Sequence, residues 1–242
     1  MQLFIITGAS KGLGSALLKQ VLKEKHLVIS LSRTNNFSHP SHFHISHNLA
    51  NWKGLETKLH KALSKIDLKK IKAIHLINNA AAIEPIGEIQ KFKYEDVGKH
   101  IQLNLMTPML LTGWLMKTFQ RKTCPITVTN ISSGAALHPI VNWSLYCSTK
   151  SGLKMFTDCL NEDFKAKKHF RALSFAPGVM DTQMQETIRK QKSSNFKNVE
   201  KFKELKQKKL LLSPDTVALG LYELLQSPEK INQSFYDIRE ML

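Results

Sequence analysis

The sequence predicts a doubly wound α/β fold, one parallel sheet with helices on both faces, built as a single domain over residues 1–242. Three observations predict it. Short apolar, β-branched runs are continuous rather than alternating, as strands covered on both faces are. Longer amphipathic segments separate those runs in a strand–helix–strand rhythm. A glycine-rich turn stands where the first run gives way to the first amphipathic segment.

Taken in order, "LFIIT" is the first strand, "GSALLKQVLKEK" the helix after the turn and "LVISLS" the second strand. "AIHLINNA" follows as a strand, and "LNLMTPMLLTGWLMKTF" from Leu103 to Phe119 as a buried helix. Asn104, Pro108 and Gly113 interrupt that helix, and it is too short to span a bilayer. "PITVTNIS" is a strand, Tyr146 to Lys167 a helix, and "RALSFAPG" another strand. "SPDTVALGLYELL" opens the last long helix, with Ser213 as N-cap and Pro214 at the first helical position. The rhythm is that of a Rossmann-type domain. The polar, lysine-rich stretch 183–210 is long for a connection in such a domain; it is either a lid over the substrate or a solvated helical insertion.

A formal charge of +16 raises nucleic acid and anionic membranes as partners. The lysines are spread among apolar positions, however, and no binding motif accompanies them, so neither partner is expected. Cys124, Cys147 and Cys159 are odd in number and lack ligand spacing, which predicts no disulfide framework and no metal site. A reducing, cytoplasmic setting is expected, because the N-terminus enters an apolar strand without the pattern of a secretory leader.

The turn "TGASKGLG" carries Gly8, Gly12 and Gly14 between strand and helix, where free N–H groups and the helix dipole favour a pyrophosphate. Its GxxxGxG spacing, with "NNAA" at 78–81, Asn104, Ser132 and Ser133, "YCSTK" at 146–150 and "PGVMDT" at 177–182, resembles the short-chain dehydrogenase/reductase family over essentially the whole chain. The resemblance implies a nicotinamide dinucleotide held by Gly8, Ser10, Lys11, Gly12, Leu13 and Gly14, by Asn79 and Ala80, by Tyr146 and Lys150, and by Pro177, Gly178, Val179 and Thr182. The second strand ends in Ser32 and Arg33 with no carboxylate, and Lys11 adds a second cation, which points to NADPH. Arg33 as one more surface cation is the alternative. Asn48 and Leu49 stand beside the adenine position, where the family usually has an aspartate and where Asn can still accept a hydrogen bond. The family's usual glycine at the end of the "NNAA" motif is replaced by Ala81.

Carbonyl reduction needs a proton at oxygen as well as a hydride at carbon. Tyr146 and Lys150, four apart, share a helix face, and the ammonium is expected to draw the phenol down from its ordinary pKa of about 10. The resemblance implies Tyr146 as proton donor, Lys150 as its tuner and ribose ligand, Ser133 rather than Ser132 as carbonyl orienter, and Asn104 as the fourth member. Within the family the chain is most similar to the sepiapterin and benzil reductase branch. Leu137, Ile140, Trp143, Met180 and Met184 are candidate pocket residues for an aromatic or hydrophobic ketone, a benzil-like α-diketone first and a pterin second, with core packing as the alternative for each. Ser234 stands where a pterin-anchoring aspartate would, and Asp237 is a possible substitute. An NADPH-binding sensor without turnover is the alternative from another class. A homodimer or homotetramer through the helices holding Asn104 and Tyr146 is expected by resemblance.

Overall fold

The computed structural model describes residues 1–242. Its elements are β1 (Leu3–Thr7), α1 (Gly12–Lys23), β2 (Leu27–Ser32), β3 (His42–Ser46), α2 (Leu55–Leu63), β4 (Ile74–Asn78), α3 (Tyr94–Ile101), α4 (Thr107–Thr118), β5 (Ile126–Ile131), α5 (Ser144–Asp163), β6 (Phe170–Ala176), α6 (Gln183–Arg189), α7 (Val199–Gln207), α8 (Pro214–Gln226) and β7 (Phe235–Asp237). The seven strands form one parallel sheet in the order β3-β2-β1-β4-β5-β6-β7. The order reverses between β1 and β4, and the crevice at the carboxyl ends of strands at such a switch point is where this architecture binds ligands.

The period-2 alternation of side chains divides the core. Leu3 and Ile5 of β1 join a cluster with Leu55 and Leu59 of α2, Leu111, Trp114 and Leu115 of α4, and Leu160 of α5. Phe4 and Ile6 point the other way, into Leu13, Leu17 and Val21 of α1 and Val217 and Leu221 of α8. Every residue of β1 is buried, which explains why its sequence reads as an unbroken apolar run. Ser213 caps α8 as its sequence predicts, its hydroxyl accepting the Thr216 N–H at 3.0 Å.

Two strands have no clear sequence signal. β3, "HFHIS", is an edge strand that is mostly half-exposed, and β7 has only three residues, "FYD". The long helix expected from Leu103 is broken, since Gln102–Met106 forms a π-helical turn between α3 and α4.

One polar row crosses the apolar sheet. Asn78, Asn130 and Ser174 are register partners on β4, β5 and β6. Asn78 donates to Asn130 Oδ1 at 2.8 Å, Asn130 donates to Thr157 Oγ1 of α5 at 2.9 Å, and Ser174 bonds the same hydroxyl at 3.0 Å.

Candidate active site

At the carboxyl end of β1 the chain turns sharply into α1. Gly8 has φ +67°, and a Cβ there would lie 2.9 Å from the Ala80 Cα; a Cβ on Gly14 would lie 2.4 Å from the Gly8 carbonyl oxygen. Only glycine allows this close approach. Thr7, which the sequence motifs do not single out, locks the loop to the next strand. Its hydroxyl accepts the N–H groups of Asn79 (2.8 Å) and Ala80 (2.9 Å) and donates to the Ile77 carbonyl at 3.2 Å. Asn79 Nδ2 donates back to the Thr7 carbonyl at 2.9 Å. The end of β2 is tied in by Gly8 N–H to the Leu31 carbonyl at 2.8 Å, and Asn36 Nδ2 donates to the Ser10 carbonyl at 3.1 Å.

The first turn of α1 has no side-chain cap, so its N–H groups face the crevice unmet. A loop with no room for a Cβ at Gly8 or Gly14, leading into an uncapped helix, fits a pyrophosphate. Leu13 is buried in the core, which leaves only its backbone for that purpose. Ser32 bonds the Thr34 carbonyl at 2.7 Å and Arg33 is exposed beside it, while Lys11 bonds Gln183. Asn48 is exposed and its Oδ1 accepts the Ala50 N–H at 3.1 Å in a local turn; Leu49 is buried, its carbonyl accepting from Thr107. Pro177 and Gly178 follow β6, Val179 is held to Leu212 through its carbonyl at 3.0 Å, and Thr182 stands just before α6.

Tyr146 and Lys150 lie in the first two turns of α5, both buried, with Lys150 only 3% exposed. The Lys150 ammonium donates to the Ile131 carbonyl at 2.6 Å and sits 5.7 Å from the Tyr146 ring centre. Burial pulls Lys150 down to about 8. The same cause pushes Tyr146 up to about 12, opposed by hydrogen bonding from Ser133. The expected lowering by Lys150 is therefore corrected: withdrawal of the phenol from water outweighs every neighbour, and the ammonium points at Ile131 instead. Ser133 caps a short 3-10 turn, accepting the Ala135 N–H at 3.2 Å, whereas the Ser132 hydroxyl is buried without a partner.

Asn104 sits in the π-helical turn, 1% exposed. Its Oδ1 accepts the Ala82 N–H at 2.9 Å and its Nδ2 donates to the Ala82 carbonyl at 2.8 Å. It is joined by His100, whose Nε2 lies 2.9 Å from Asn104 Nδ2 and 3.2 Å from Thr149 Oγ1. No sequence motif marked His100. A lone histidine on an amphipathic helix gives no signal, although π-helical turns concentrate at functional sites.

The stretch 183–210 folds as α6 and α7 and packs onto the Tyr146 side of the crevice. Phe196 and Val199 are fully buried against Trp143 and Tyr146, with Phe196 stacked on Trp143 at 5.1 Å and Trp143 edge-on to Tyr146 at 5.6 Å. Asp181 anchors the segment through Lys206 and Arg189. Ile140 and Met184 are half-buried and pack on this cluster. Leu137 is exposed, and Met180 packs on the opposite core beside Leu212. Asp237 is bound by Arg239 through Nε at 2.9 Å, which commits the carboxylate proposed as a pterin anchor. A polar cleft of about 420 Å³ opens between α1 and α6, bordered by Gly12, Ser15, Thr182 and Gln183.

The model of the family described as short chain dehydrogenase matches residues 2–193. The chain is 41% identical to the benzil reductase ((S)-benzoin forming) of Bacillus subtilis over 244 residues, covering 100% of both chains. It is 29% identical to the sepiapterin reductase of Xenopus tropicalis, covering 78% of each. Among solved structures, the KRED1-Pglu enzyme superposes with a TM-score of 0.84 at 26% identity, over 98% of this chain and 100% of the other.

Proposed function

The chain belongs to the short-chain dehydrogenase/reductase family, and from that premise we propose that it is an NADPH-dependent carbonyl reductase acting on aromatic α-diketones of the benzil kind. The observation that carries the proposal is the convergence of half-buried Ser133 with buried Tyr146 and Lys150, beside a glycine loop with no room for a Cβ at Gly8 or Gly14. Bound NADPH supplies the hydride. Ser133 orients the substrate carbonyl, and Tyr146 gives its proton to the carbonyl oxygen. Burial keeps that phenol protonated at neutral pH, the form a reduction requires. Lys150, charged below about 8, holds the nicotinamide ribose and offsets phenolate charge as the proton leaves.

Arg33 and Lys11, with no carboxylate at the end of β2, support the phosphorylated cofactor. The wall of Trp143, Phe196 and Phe202 supports an aromatic substrate, as does full-length similarity to a benzil reductase. Trp143 Nε1 is buried there without a partner, a spare donor in the wall beside Tyr146. The pterin reading is weaker because Ser234 carries no charge and Asp237 is held by Arg239. A homodimer or homotetramer through the π-helical turn with α4 and through α5, where Met106, Leu110 and Met155 are exposed, and a cytoplasmic setting belong to the same proposal.

Steady-state assays with benzil, phenylpropanedione and sepiapterin, each with NADPH and with NADH, test it. Benzil with NADPH should give the highest kcat/KM, and Arg33→Ala should erase most of the preference for NADPH. Equal efficiency with the two cofactors sinks that assignment, and failure to oxidise NADPH with any carbonyl favours the sensor.

A further inference from the structure

We infer that His100 is a positioning residue for this site, holding Asn104 and the first turns of α5 together, and that it does so only as the neutral imidazole. Its effect on turnover rests on the reductase reading; its tautomer does not.

The hydrogen bonds fix the proton. His100 is 2% exposed, and its Nδ1 lies 2.7 Å from the Glu84 carbonyl, which can only accept. Nδ1 therefore carries the hydrogen, leaving Nε2 of the neutral ring as a bare acceptor. The Asn104 amide is oriented independently by the N–H and carbonyl of Ala82, so the atom it presents to Nε2 is its NH₂ group. The second proton of that NH₂ group thus meets the one lone pair on the ring. Thr149 stands beside the link on α5: its hydroxyl donates to the Tyr146 carbonyl at 3.0 Å, and its oxygen lies 3.2 Å from Nε2.

Protonation of Nε2 turns the acceptor into a donor. The new N–H can serve Thr149, but it faces the Asn104 NH₂, and two donors cannot pair. Facing His100 are Lys150 and the Tyr146 ring edge from α5, the Glu84 carbonyl from the segment before α3, and Asn104 from the π-helical turn. Burial and the Lys150 charge both hold His100 below its ordinary value of 6.5, which keeps the ring neutral near neutral pH.

Two substitutions separate acceptor from donor. In His100→Gln the side-chain oxygen can replace Nε2 as acceptor; in His100→Asn the shorter amide can replace only Nδ1. With benzil and NADPH, His100→Asn should lower kcat by about 10-fold or more while KM for NADPH stays within about 2-fold. His100→Gln should stay within about 3-fold of wild type and lose the acidic limb of the kcat–pH profile. Nitrogen NMR should show the Nδ1-protonated tautomer at neutral pH, whether or not the enzyme turns over. Equal loss in the two variants, an acidic limb that survives His100→Gln, or an Nε2-protonated ring overturns the inference. If Tyr146→Phe in the same assay keeps its turnover, the reductase mechanism fails while the tautomer result stands.

Discussion

The two ends of the sheet bury titratable side chains to similar depth and for different ends. At the amino end, His75 of β4 is stacked on Phe4 at 4.4 Å, and His26 meets the Tyr222 hydroxyl at 3.2 Å. At the carboxyl end stand Tyr146, Lys150, Asn104 and His100. Burial drives the shifts at both: His75 down to about 3, Lys150 down to about 8, Tyr146 up to about 12. The difference lies in what surrounds them. His75 is buried against Phe4, its Nε2 3.2 Å from the Gln2 side-chain oxygen and its Nδ1 unpaired. At the other end the shifted groups converge on a glycine loop and on each other. A displaced pKa alone thus marks burial; convergence with an opening marks chemistry.

The largest test of this contrast is Tyr146→Phe, expected to lower kcat by about 10²-fold or more while NADPH binding, followed by fluorescence titration, persists. Near-normal turnover would place the acid elsewhere. Gly14→Ala pushes a methyl into the Gly8 carbonyl, and should weaken NADPH binding by about 10-fold and lower stability by about 1–3 kcal/mol. An unaffected titration would mean that the loop does not cradle the cofactor.

The two ends should also answer pH in the same sense, stability rising with pH, but in separate windows. The folded pKa of Lys150 is depressed, so the penalty for its buried ammonium is complete below about 8 and is relieved as pH rises toward 10.5. Lys150→Met should therefore abolish turnover yet raise unfolding free energy at pH 7 by roughly 1–3 kcal/mol, an advantage that shrinks at pH 10. Urea melts at the two pH values decide it; a variant less stable at pH 7 contradicts the burial penalty. The folded pKa of His75 is also depressed, so the neutral ring's contribution is complete above 6.5 and is lost as pH falls toward about 3. Relative to His75→Leu, the wild type should lose up to about 1.4 kcal/mol per pH unit across that window. Parallel pH profiles for the two proteins would show that the ring titrates normally.

Much of this was legible beforehand. β1, β2, β4, β5 and β6 announce themselves because both faces are covered and few polar residues are tolerated. The glycine loop is visible because crowding at Gly8 and Gly14 excludes every other side chain there. β3 escapes notice because an edge strand can hold His42 and His44 half in water, and β7 because three residues show no period. His100 was illegible for a different reason: its meaning lies in three partners 4, 16 and 49 residues away. The protonation of Tyr146 is not legible in the sequence, because spacing reports which side chains are near and is silent about how much water has left.

The row of Asn78, Asn130 and Ser174 acts as an alignment datum. Slipping β4 or β5 by a single residue would flip an amide to the far face, and slipping β6 would flip the Ser174 hydroxyl, leaving it buried and unpaired, so the three strands are pinned flush at their carboxyl ends. Thr157 takes α5 into the same arrangement, bonding Asn130 and Ser174 from a position 7 residues after Lys150 and 11 after Tyr146, about two and three turns along one helical face. A displacement of Thr157 along or around the helix axis is therefore carried along the same helix to Lys150 and Tyr146, so this hydroxyl sets the mechanical tolerance with which the two are held.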